Sequence, residues 1–140
     1  MNMLRRFAAV TLLALSGPLY AEVVVIVHRN NAVASMTPDQ VAQVFMGAST
    51  TFPTSATATP IDQPEGSPTR DEFLAKVLDK TPAQFKAVWS RLIFSGKGTR
   101  PKTLAGSAEV RSAVAADPAA IGFVDRASVD ATVKVVLSVK

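Results

Sequence analysis

The strongest constraint on this chain's fold is the run Val23-Val24-Val25-Ile26-Val27, which follows Glu22. Five β-branched residues in a row have no polar face to give to water. As a strand they must be covered on both sides, which places them mid-sheet in a layered α/β protein and not on a half-exposed, alternating strand. The polar cluster His28-Arg29-Asn30-Asn31 follows at the strand's carboxyl end, where open α/β sheets commonly bind ligands. That position makes His28 and Arg29 candidate ligand contacts; the alternative is that they are ordinary surface residues.

Three later segments begin alike, with Thr37-Pro38, Ser67-Pro68 and Thr81-Pro82. A hydroxyl residue followed by proline is a helix start, because the side chain caps free amides and proline needs no amide partner at the first helical position. Gln40 and Gln84 lie three residues after their threonines and complete capping boxes. Apolar residues then recur at helical spacing: Val41, Val44 and Phe45; Phe73, Leu74, Val77 and Leu78; Phe85, Val88, Trp89, Leu92 and Ile93. The stretch from Ala48 to Thr59 reads as a loop and Pro60-Ile61-Asp62 as a short strand. Phe94 to Lys102 is a basic glycine loop, which lacks the spacing of a phosphate-binding P-loop and follows a helix instead of a strand. A fourth helix is expected from about Ser107 to Ala116, then strands at Ile121–Val124 and Val133–Val139. The order predicts a three-layer α/β lobe with a mostly parallel sheet flanked by helices.

Ahead of the first strand stand Arg5 and Arg6, an apolar run from Phe7 to Leu15, and the breaker Ser16-Gly17-Pro18. This is the layout of a secretory signal, with cleavage expected after Ala21. The apolar run is shorter than the roughly 20 residues that span a bilayer. Residues 1–21 are therefore expected to be a signal peptide and 22–140 a single exported domain of 119 residues. Removing Arg5 and Arg6 leaves 13 basic against 11 acidic residues, interleaved along the sequence, so a nucleic-acid partner is not expected. With no cysteine and one histidine, thiol chemistry is excluded, and a multi-histidine metal site or a conventional catalytic triad is hard to assemble. Asp71 and Glu72 are adjacent on a helix and point about 100° apart, a poor geometry for paired acid and base. No catalytic set, metal site or cofactor is expected.

The segment Asp62 to Phe73 carries the chemistry. It is a turn feeding the amino end of a helix, where free amides and the helix dipole favour an anion, and Ser67, Thr69 and Arg70 add two hydroxyls and a guanidinium. The plainer alternative is helix capping by Ser67, which Pro68 favours because it has no amide hydrogen.

Thr37 to Gly47, Pro64 to Phe73 and Ala119 to Val124, in that order, resemble motifs of the type II periplasmic binding proteins, specifically the phosphate-binding components of bacterial ABC importers. The first is similar to a helix running into Phe-x-Gly, the second to a Gly-Ser-Gly-Thr phosphate turn, and the third to an Ala-Ile-Gly-Tyr strand. Pro68 stands at that turn's second glycine, and Gln63 where an arginine is expected. The resemblance implies a single lobe of such a protein, without the second lobe that closes over a ligand, working in a periplasm. It implies contacts from Ser67, Thr69 and Arg70 to a small oxyanion such as phosphate, with a membrane transporter as partner. The alternative is an accessory module that kept the fold without the ligand and docks on another periplasmic protein or on a second copy of itself as a homodimer.

Overall fold

The computed structural model describes residues 22–139; the expected signal peptide lies outside the described residues. The elements are β1 (Val23–His28), α1 (Pro38–Phe45), β2 (Thr59–Asp62), α2 (Pro68–Phe73), α3 (Pro82–Phe94), β3 (Lys102–Thr103), α4 (Ser107–Ala116), β4 (Ala120–Asp125) and β5 (Val133–Val139). All three hydroxyl-proline pairs start helices. Thr37, Ser67 and Thr81 are N-caps with proline in the first turn, and Gln40 and Gln84 close the two capping boxes. A π-helical turn over Leu74–Leu78 continues α2 and ends at Asp79 in the left-handed conformation.

The five strands form one sheet in the order β3-β2-β4-β1-β5. β3, β2 and β4 run parallel, while β1 pairs antiparallel with β4 on one side and β5 on the other. Four strands thus share a direction, and β1 is reversed among them. The run Val23–Val27 is fully covered, and its alternating side chains feed two cores. Val23, Val25 and Val27 pack with α1, α2, the π turn and α3 on one face. Val24 and Ile26 pack with Val110 and Val114 of α4 on the other. Burying each such side chain contributes about 1.5–3 kcal/mol, which explains why a chain without disulfides can still hold three layers.

On the first face Phe73 stacks on Phe123 of β4 with ring centroids 4.1 Å apart, and Phe45 of α1 meets Phe73 edge-on at 4.8 Å. These contacts pin the far end of α2 to the sheet and so set where its first turn falls. The apolar stripe of α3 is narrower than its periodicity predicts: Phe85 and Trp89 are buried, but Ile93 is 44 % exposed.

Candidate functional site

Because β2 and β4 are parallel, their carboxyl ends meet at one edge of the sheet. There Asp62, Gln63 and Asp125 face the amino ends of α2 and α4. Asp62, Gln63, Thr69 and Arg70 are the buried polar residues among those described, and burial of such groups is tolerated only when they are paired.

The pairing is specific. Arg70 donates from Nε to Asp62 Oδ1 at 3.0 Å and from Nη2 to Asp62 Oδ2 at 3.3 Å. The Gln63 backbone N–H donates to Asp62 Oδ1 at 2.8 Å. Gln63 Nε2 donates to the Phe123 carbonyl at 2.9 Å, and its Oε1 accepts from the Ser67 hydroxyl at 3.2 Å. Ser67 Oγ also accepts from the Arg70 backbone N–H, as a capping residue should. The Thr69 hydroxyl donates to Asp125 Oδ1 at 2.8 Å, while the Asp125 N–H donates to Ser107 Oγ at the start of α4. A single polar network therefore ties the ends of two strands to the starts of two helices.

One donor stays outside it. Arg70 Nη1 is buried without a hydrogen-bond partner among the described residues. The guanidinium carbon lies 5.2 Å from the centre of the Phe85 ring, which supplies a cation–π contact. Arg70 lines a cavity of about 140 Å³, bounded also by Asp62 to Glu65, by Phe85, Lys86 and Trp89 of α3, and by Arg100, Pro101 and Thr103. Arg70, Lys86 and Arg100 oppose Asp62 and Glu65 around it, leaving one net positive charge. A small anion fits this balance, since a carboxylate already shares the guanidinium but does not cancel the set.

The structure brings Ser67, Thr69 and Arg70 together, though only Arg70 lines the cavity. It does not bring His28 and Arg29 to them. A carboxyl end of β1 at the ligand-binding edge would require β1 to run parallel to β4. Because β1 is reversed, Val23 lies opposite Asp125, and His28 is five residues away at the other end of the sheet. At about 3.3 Å per residue that is roughly 16 Å from the network. There His28 Nδ1 accepts from the Asn30 N–H in a local turn. In the sequence Lys86 reads as a helix surface residue and Arg100 as a loop cation; only the fold brings both to the cavity that Arg70 lines. The partner of Arg70, Asp62, ends a short strand, and no local pattern marks it as a buried counter-ion.

No protein-family model and no curated protein sequence matches the chain. Solved structures do. A protein from Clostridium perfringens described as a phosphate ABC transporter substrate-binding protein, with bound phosphate, superposes at a TM-score of 0.66 with 24 % identity, over 82 % of this chain and 44 % of its own. An ABC-type phosphate transport receptor from Vibrio cholerae gives 0.61 and 18 % over 82 % of this chain and 45 % of its own. PstS from Borrelia burgdorferi gives 0.62 and 12 % over 82 % and 46 %. The chain shares its fold with part of each of these structures. At these identities the likeness is one of fold, and the chain spans less than half the length of each of these three proteins. In this fold the polar network and the Arg70 cavity both lie where β2 delivers the chain to α2.

Proposed function

We propose that the chain is an exported oxyanion-binding protein related to the substrate-binding components of ABC transporters, with residues 1–21 as its cleaved signal peptide. It works outside the cytoplasm, in a periplasm, with phosphate as the candidate ligand. The observation that carries this reading is the buried Arg70 side chain, which lines a cavity together with Lys86 and Arg100 and whose Nη1 has no hydrogen-bond partner among the described residues. An oxyanion seated against the guanidinium would share it with Asp62 through charge-assisted bonds, and the two other cations would neutralise the remaining charge. Ser67 and Thr69 act differently in this reading: they hold the turn in place, and they reach the ligand only by exchanging Gln63 and Asp125 for it. Asp62 and Glu65 oppose the anion, so binding is expected to be weak and salt-sensitive.

The second reading is a periplasmic interaction module that docks on a transporter, on another protein or on its own copy. It is favoured by the internal engagement of the three predicted contact residues: Ser67 with Gln63, Thr69 with Asp125, Arg70 with Asp62. Titration calorimetry of residues 22–140 with phosphate and sulfate at low salt separates the two. The binding reading expects a saturable signal that Lys86→Ala and Arg100→Ala each weaken by about tenfold. No heat with either anion would discard it in favour of the module.

A further inference from the structure

Charge is unevenly distributed along the chain in a way its overall balance hides. From Thr81 to Ala108 there are five cations, Lys86, Arg91, Lys97, Arg100 and Lys102, and no Asp or Glu. The rest of residues 22–140 carries eight basic and 11 acidic residues, so an excess of five positive charges in one segment faces an excess of three negative ones elsewhere.

The same segment carries the exposed large hydrophobic residues of the described chain, Ile93 at 44 % and Phe94 at 96 % exposure. Every residue from Ile93 to Arg100 is exposed. This tip is nevertheless well fixed. Gly96, at φ +72°, ends α3 with its N–H donating to the Ile93 carbonyl at 3.0 Å, and the Lys97 N–H donates to the Leu92 carbonyl at 2.9 Å. That pair of bonds is a Schellman cap. In such a cap the residue after the glycine is commonly apolar and folds back on the helix; here it is Lys97. Gly98 lies against the indole, where a Cβ would stand 3.5 Å from Trp89 Cζ3. An ordered helix end therefore presents Phe94 outward, one helical turn from Arg91 and just before Lys97.

The geometry points to an anionic phospholipid surface as the occupant of this tip, with Phe94 and Ile93 entering the interface and Arg91, Lys97 and Lys102 held at the headgroup phosphates. A symmetric contact between two copies would set Arg91, Lys97 and Lys102 of one against the same three cations of the other, which disfavours this face as an isologous interface. A folded protein partner would need an acidic rim around a pocket shaped for Phe94. A bilayer offers negative charge above an apolar layer in that order and needs no shape match for a convex tip. The tip borders the Arg70 cavity at Arg100, but Arg91, Ile93, Phe94, Lys97 and Lys102 do not line that cavity, and the inference holds whether or not it takes an anion.

The test is co-sedimentation of residues 22–140 with vesicles of phosphatidylcholine alone and of phosphatidylcholine with phosphatidylglycerol. Binding is expected only to the anionic vesicles and should fall steeply as salt shortens the screening length. Phe94→Ser should lower it about tenfold, and Arg91→Glu with Lys97→Glu by about a hundredfold or more. All three side chains are exposed, so unchanged circular dichroism should accompany each loss. Equal binding to both vesicle types, no binding to either, or anionic binding that Phe94→Ser leaves intact would each overturn the inference.

Discussion

Replacing Arg70 by Met strikes the one ion pair that holds the candidate site to the sheet. Asp62 is 7 % exposed and Arg70 5 %, and the two share a bidentate contact at 3.0 and 3.3 Å. Once the guanidinium is gone, the carboxylate keeps the Gln63 N–H but lies in a buried position with no counter-charge. Breaking a buried pair from one side costs about 3–5 kcal/mol, because an uncompensated charge remains. Unfolding entropy near 2.1 cal/mol/K per residue over 119 residues is about 250 cal/mol/K, so the melting temperature should fall by about 12–20 °C. The assay is thermal unfolding by circular dichroism of the wild type, Arg70→Met, Asp62→Asn and the double variant. The double variant should be less destabilised than the sum of the singles by about 1–3 kcal/mol, since it leaves no orphan charge. Additive losses, or an Arg70→Met protein that melts with the wild type, would refute the reasoning. The same arithmetic makes Arg70 a poor first probe of ligand binding, because a lost signal would be confounded with unfolding.

Three further outcomes are expected. A Cβ on Gly122 of β4 would stand 2.5 Å from Val110 Cγ1, so Gly122→Ala should overpack the α4 face and cost about 1–3 kcal/mol in denaturant unfolding; a neutral result would mean that α4 shifts freely. Thr81→Ala removes the side-chain half of a capping box, and the expected loss is about 1 kcal/mol, whereas no loss would show the box to be energetically idle. Thr132, donating to Asp130 from its hydroxyl and its backbone N–H, holds that carboxyl below the usual range, with the Arg111 charge acting the same way. A depressed folded value gives stability that is present above the unfolded pKa and is lost as pH falls through the folded one. Asp130→Asn should therefore lose less of its melting temperature than the wild type between about pH 6 and about pH 3; a steeper loss would contradict this.

Helix starts were the most legible part of this fold because their cause is local. Thr37, Ser67 and Thr81 with their prolines settle φ, cap amides and mark the first turn within four residues. The covered nature of β1 was equally plain, since a run without polar residues leaves no alternative. Its direction was not, because Val23–Val27 reads the same with neighbours parallel or antiparallel, and that one ambiguity misplaced His28 and Arg29. β3 was lost inside the basic loop because two exposed residues, Lys102 and Thr103, carry no strand pattern and become a strand only by pairing with Ile61 and Asp62. The segment Asp62 to Arg70 stood out as chemically rich, yet its internal quenching by Asp62, Gln63 and Asp125 depends on contacts across 8 to 60 positions. Phe94 was read as the opening of a loop, and only the Schellman cap shows that it is held outward.

Trp89 is the single tryptophan of the chain and lines the Arg70 cavity, so its fluorescence reports directly on whether an anion enters there. Residues 22–140 titrated with phosphate at low salt should show a saturable change in Trp89 emission. Lys86→Ala and Arg100→Ala should shift the midpoint upward by about tenfold each, and chloride at equal ionic strength should not reproduce it. A flat signal, or one that chloride matches, would contradict an oxyanion site at Arg70.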